Sequence, residues 1–191
     1  MLKQIVRAML AGGFVVLTLS TQVVQAADGE GNDARQVKMT FSGSMVPTAI
    51  DVRPGTITDE ELLAGAGTFG QFTFRALRTD ETAPIGFGSC GDGFGPSIRV
   101  TAGGGVFRFE DGSLLMVNLT DGLLCIDFDD LVGHLSENYR ITGGTGRLRG
   151  ASGALQVTKT LHPVMFSAAG SAVLVTINGE SKGTVRLSSE K

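Results

Sequence analysis

The chain has 191 residues, 42% of them hydrophobic, with 16 basic residues against 19 acidic ones and a net charge of −3. An acidic chain without a basic run is a poor binder of nucleic acid or of an anionic membrane surface. The two histidines, His134 and His162, form no His-x-x-x-His pair, so no zinc site of that kind is expected.

The N-terminus reads as a targeting segment. Lys3 and Arg7 precede an apolar stretch, Ala8 to Ser20, of secretory-signal length and short for a bilayer span. Val24-Gln25-Ala26 supplies the small-x-small cleavage pattern, which predicts a cut after Ala26 and a secreted or periplasmic product. The mature chain would then hold 165 residues (191 less 26), one domain's worth. Losing Lys3 and Arg7 leaves 14 basic against 19 acidic residues, a net charge of −5. Residues 27–35 contain no large apolar side chain and read as a flexible leader; residues 36–191 are the folded domain. No membrane association is expected once the signal is cleaved.

From Val37 the chain alternates apolar and polar residues. Val37, Met39 and Phe41 mark a half-buried strand. Gly43 to Gly55 reads as mostly loop. Thr58-Asp59-Glu60-Glu61 matches a capping box and predicts one or two helical turns on the N-terminal side; its acids suit a helix start better than a metal site. Gly67 to Arg78 resumes strand alternation. Thr79 to Pro96 reads as a long glycine-rich connection carrying Cys90.

Strands then follow one another: Ser97–Ala102, Val106–Glu110, Ser113–Leu119, Leu123–Phe128, Val132–Thr142, Ala154–Leu161, Ser171–Ile177 and Lys182–Leu187. Asp111-Gly112, Asp121-Gly122 and Asn178-Gly179 are two-residue hairpin signals. Short strands joined this way predict an all-β fold, an antiparallel up-and-down barrel of about eight strands with one short helix. Cys90 and Cys125 form an even pair that export would oxidise; the alternative is two separate buried thiols. A bridge would tie the Cys90 loop to a strand and contribute about 3–4 kcal/mol through loop entropy.

The stretch Tyr139 to Gln156 is rich in glycine, with Gly143, Gly144, Gly146, Gly150, Ala151 and Gly153 between two strands. Its glycine spacing misses the dinucleotide fingerprint, no helix opens after it, and a Gly-Lys-Ser/Thr is absent, which excludes a phosphate cradle. It reads instead as a structural corner, where glycines admit positive φ and close strand approach. Ile141-Thr142-Gly143-Gly144-Thr145-Gly146, then Leu148, then Gly150-Ala151-Ser152-Gly153, resembles the signature of the allene oxide cyclase barrel superfamily. That superfamily includes plant allene oxide cyclases, plant dirigent proteins and exported bacterial proteins. Leu148 stands where an aromatic residue is usual. The resemblance implies an eight-stranded barrel, oligomeric in many plant members, and carries no catalytic residue over to this chain.

Other chemistry is sparse. No serine sits in a Gly-x-Ser-x-Gly elbow, and no cofactor is expected. Asp127, Asp129 and Asp130 could hold a cation but fit a solvated strand end better. Asn118-Leu119-Thr120 is a glycosylation sequon, meaningful only in a eukaryotic secretory host. Three functions remain open. The first is an exported non-catalytic barrel binding a small apolar ligand. The second is a cyclase- or dirigent-type enzyme, whose pocket would draw on Arg75, Arg108, Glu110, His134, Glu137 and Arg140. The third is a structural or surface-interaction protein, homo-oligomeric or not.

Overall fold

A computed structural model describes residues 32–50 and 52–188. The expected signal peptide and residues 27–31 of the expected leader lie outside these residues, while residues 32–35 of that leader form the start of the first strand. The fold is all-β. Its strands are β1 (Asn32–Pro47), β2 (Thr56–Gly67), β3 (Gly70–Glu81), β4 (Gly86–Cys90), β5 (Gly93–Phe109), β6 (Leu114–Asp127), β7 (Val132–Gly144), β8 (Ser152–Phe166) and β9 (Ala172–Ser188). All pairings are antiparallel. The sheet runs β3-β2-β1-β9-β8-β7-β6-β5, and β3 pairs back onto β5, closing an eight-stranded barrel. Closure leaves those strands without a free edge. The extra strand, β4, pairs with the part of β5 that runs past β3.

The alternation read from the sequence decides which side chains fill the barrel. Val37, Met39, Phe41, Phe72, Phe74, Phe107, Phe109, Leu155, Val157 and Val185 all point inward and are buried. Phe72, Phe74, Phe107 and Phe109 come from two paired strands and stack edge-on or tilted, with ring centroids 4.2–6.0 Å apart.

Several expectations need correction. No α-helix occurs among the described residues; the predicted helix at Thr58–Glu61 is the middle of β2. Asp59 and Glu61 face into the barrel, where Arg78 and Lys159 hold them, while Glu60 faces out to Arg75. Those long-range ion pairs override a local capping preference. The only helical element described is a single 3-10 turn, Gly146–Leu148. Strand β1 runs on to Pro47, and the Thr79–Pro96 connection contains β4 and the start of β5. Strand β8 runs past Pro163 through a bulge.

Of the three hairpin signals only Asp111-Gly112 turns the chain, with Gly112 at φ 80°. Asp121-Gly122 lies within β6 beside a bulge, and Asn178-Gly179 lies within β9. Their glycines supply room. A Cβ at Gly179 would stand 2.4 Å from the Thr158 carbonyl oxygen and 2.6 Å from the Phe41 ring; one at Gly122 would stand 2.9 Å from Val100. Eight strands enclose a narrow interior, so large side chains on one strand need small ones opposite.

This distinction has a measurable consequence. Gly179→Val should cost about 3 kcal/mol through overpacking. Gly112→Ala, with a left-handed φ and open space around it, should cost about 1 kcal/mol. Urea unfolding of the two variants measures both, and equal losses would contradict the packing role of Gly179.

Candidate functional site

The barrel has two unlike ends. At the corner end β2–β3, β5–β6 and β7–β8 turn. There the glycine stretch folds back on itself and drives Leu148 fully into the core. Gly146 and Gly150 take φ of 57° and 67°, and a Cβ at Gly144 would stand 2.3 Å from the Leu148 carbonyl oxygen. Arg147 leaves the corner to seal it. Its guanidinium donates to the Phe69 carbonyl, meets Asp111 at 2.9 Å, and lies 5.5 Å from the Phe109 ring centroid. The stretch is therefore a plug.

Beyond the phenylalanines, the interior turns ionic. Arg78 on β3 is fully buried, and each of its nitrogens is engaged. Nε and Nη2 grip Asp80 at 3.0 and 2.8 Å, Nη1 donates to Glu61 at 3.0 Å, and Nη2 reaches Asp59 at 3.5 Å. Lys159 on β8 crosses the barrel to Glu61 at 2.5 Å and Glu137 at 2.7 Å. Thr58 and Thr79 close the outside of this layer, 3.1 Å apart. Glu137 meets Lys159 as a close ion pair without a well-directed hydrogen bond. Its Oε1, Tyr139 Oη and Ser181 Oγ are buried with no hydrogen-bond partner among the described residues.

Four carboxyl groups against two cations leave two negative charges too many. Burial opposes charging Glu61, but Lys159 and Arg78 outweigh it and hold its carboxyl below the ordinary value. Burial, which the charge of Glu61 reinforces and Lys159 opposes, raises Glu137. Burial also lifts Asp59 from 3.8 to about 6, against the pull of Arg78. Burial opposes charging Lys159 too, but Glu137 and Glu61 reverse it and raise its affinity for the proton. Protons on Asp59 and Glu137 would restore neutrality. Tyr139 is pushed well above its ordinary range by burial, with Glu137 and Glu61 adding to the effect.

Among the six pocket residues expected from the sequence, Glu137 alone points inward, and it is fully buried. Arg75 lies outside against Glu60 at 2.5 Å. Arg108, Glu110 and Arg140 are exposed on the outer wall. His134 is half-buried on the outer wall, where a Cβ on Gly91 would touch its ring. The structure does not bring the six together. Sequence reasoning missed Arg78, Glu61 and Lys159, although the parity of Phe72 and Phe74, of Leu63, and of Leu155 and Val157 places each of them inside.

Between the phenylalanine and ionic layers lies a void, bordered by Phe41, Leu63, Phe74, Tyr139 and Lys159, of about 10 Å³. That is close to the minimum for a single water and far below a small-molecule pocket. Grooves of 550 to 990 Å³ lie on the outer wall between strands, and the largest runs past Asn138, Arg140, Gln156 and Arg186. Asp127, Asp129 and Asp130 form a capped turn: the Asp127 carboxylate accepts from the backbone amides of Asp129 at 2.8 Å and Asp130 at 3.4 Å. No cluster of three metal-ligating side chains occurs among the described residues. Cys90 and Cys125 are joined by a disulfide that ties β4 to β6. No family model, curated protein or solved structure matches this chain.

Removing one member of a buried ion pair strands its partner. Glu61→Gln, at a carboxylate that faces both Arg78 and Lys159, should therefore cost about 3 kcal/mol or more at pH 7, and Glu137→Gln, at one that faces Lys159 alone and whose charging burial opposes, should cost less. The reverse order in denaturant melts would overturn this charge assignment. For Asp59 the folded pKa lies above the unfolded one, so its contribution to stability is complete below about pH 4 and is lost as the pH rises through about 6. The loss is up to about 3 kcal/mol, and Asp59→Asn should flatten that decline in stability measured from pH 4 to 7.

Proposed function

We propose that this chain is an exported, non-catalytic β-barrel that acts through its outer surface, with an architecture akin to the allene oxide cyclase-like barrels. The observation that carries this reading is the filled interior. Phenylalanines occupy the half towards the corner, a paired ionic layer lies beyond them, and the void between holds about 10 Å³. A small apolar ligand inside the barrel would need tens of times that volume. A cyclase- or dirigent-type reaction needs a mouth-accessible pocket with convergent polar groups, and five of the six candidate residues face outward instead. The resemblance in the Ile141 to Gly153 stretch supports the barrel class and is silent on activity.

Export is supported by the charged, apolar and small-residue order of residues 1–26 and is compatible with the disulfide. Mass spectrometry of the protein from fractionated cells should find a chain beginning at Ala27 outside the cytoplasm. A full-length cytoplasmic chain would overturn export.

Surface action has a separate test. Fatty-acid, terpenoid and phenolic probes titrated into labelled protein should leave the side-chain signals of Phe74, Phe107 and Tyr139 unmoved. A probe that shifts those inward groups with saturation would restore the ligand-in-barrel reading.

A further inference from the structure

The end of the barrel opposite the corner is built from the β4–β5 hairpin, the β6–β7 turn and the β8–β9 hairpin. Large apolar side chains stand in water there. Phe87 is 62% exposed, Phe94 58%, Phe128 55% and Leu131 56%, and Phe166 on the β8–β9 hairpin is 50% exposed. Phe87 and Phe94 share one face of their hairpin, since Phe87 pairs with Pro96 and Ser89 with Phe94. The Phe128 amide donates to the Phe94 carbonyl at 3.2 Å, so the turn and the hairpin form one surface. Monomeric soluble proteins rarely leave a large contiguous apolar patch uncovered.

This surface is held in place. The Cys90–Cys125 disulfide staples the hairpin to β6. A Cβ on Gly93 would stand 2.3 Å from the Asp127 carboxylate, and one on Gly95 1.7 Å from the Ile126 carbonyl oxygen, so the hairpin lies tight against its neighbour. Leu131 holds φ at 55°, in a region that favours glycine, and still presents its side chain to solvent. At the corner end, by contrast, Phe69, Phe109 and Leu148 are all buried.

The exposed charged residues of the two turns beside the patch are acidic. Asp92 occupies the hairpin turn and Asp129 and Asp130 the β6–β7 turn, all three exposed. Arg53, on the β1–β2 loop at the same end, is engaged with Glu81 at 3.3 Å. An acidic rim repels an anionic lipid surface, and it repels a second copy meeting it face to face. A basic rim on the partner complements it.

We propose that this stapled end is a docking surface for a protein partner presenting an apolar patch ringed by lysine or arginine. The proposal rests on the surface-acting reading above and names its site. The test uses the disulfide-bonded protein with its amides labelled and an amphipathic helical peptide of leucine and lysine as probe. The matched leucine–glutamate peptide and vesicles of neutral or anionic phospholipid serve as controls. The leucine–lysine peptide should shift the amides of residues 86–94 and 128–131. Phe87→Ser/Phe94→Ser should weaken its binding about tenfold, and Asp129→Asn/Asp130→Asn several-fold, with thermal midpoints near that of the parent. Shifts mapping elsewhere, equal binding of the glutamate peptide, or vesicle binding lost in the phenylalanine variant would each overturn the proposal. So would a dimer in light scattering that the same variant dissolves. Silence at the stapled end with unmoved Phe74 and Tyr139 sinks only the docking site, whereas a ligand that shifts those two sinks the surface-acting reading itself.

Discussion

Arg78 is the point on which the ionic layer beyond the phenylalanines depends. A guanidinium in a closed interior is costly to bury unless every donor is used. Asp80 and Glu61 take three of its hydrogen bonds at 2.8 to 3.0 Å, and Asp59 lies at 3.5 Å. Glu61 in turn binds Lys159 from the opposite wall. The chain of contacts thus runs from β3 through β2 to β8 and on to Glu137 on β7. It pins four strands in register, because a slip of one residue would turn a charge from its partners to the solvent.

The half towards the corner obeys a volume rule in place of a charge rule. Phe41, Phe72, Phe74 and Phe107 are too large to meet one another from all sides of an eight-stranded barrel. Gly179, Ser181 and Gly183 keep the inward face of β9 small, and Gly105 lies beneath Phe74. The same need for space explains why a chain with 28 glycines turns at only some of them. The void between the two halves holds about 10 Å³. That is the physical ground for placing function on the outside.

The two ends divide the work of closing the barrel. One is stoppered by Leu148 with Arg147 across it, and its aromatic rings are hidden. The other is fixed covalently, and its aromatic rings are left in water. A rigid apolar surface with an acidic rim differs from the mixed, scattered surface expected of an inert barrel.

Period-two alternation, turn chemistry and the glycine corner made the barrel class, its strand count near eight and the Cys90–Cys125 pair legible in the amino acids alone. Each of these depends on local pattern or on a forced choice between two cysteines. The alternation also held the information that Glu61, Arg78, Glu137 and Lys159 face inward, but a charged residue at an inward position reads as a surface residue until its partner is known. Those partners are 17 and 98 residues from Glu61 in the chain. Thr58–Glu61 therefore resembled a helix start, and Asp121-Gly122 and Asn178-Gly179 resembled hairpins. Only the closed barrel, where distant strands meet and space is limited, decided that the acids pair across the core, that those glycines make room for Val100 and Phe41, and that one end stands apolar and open.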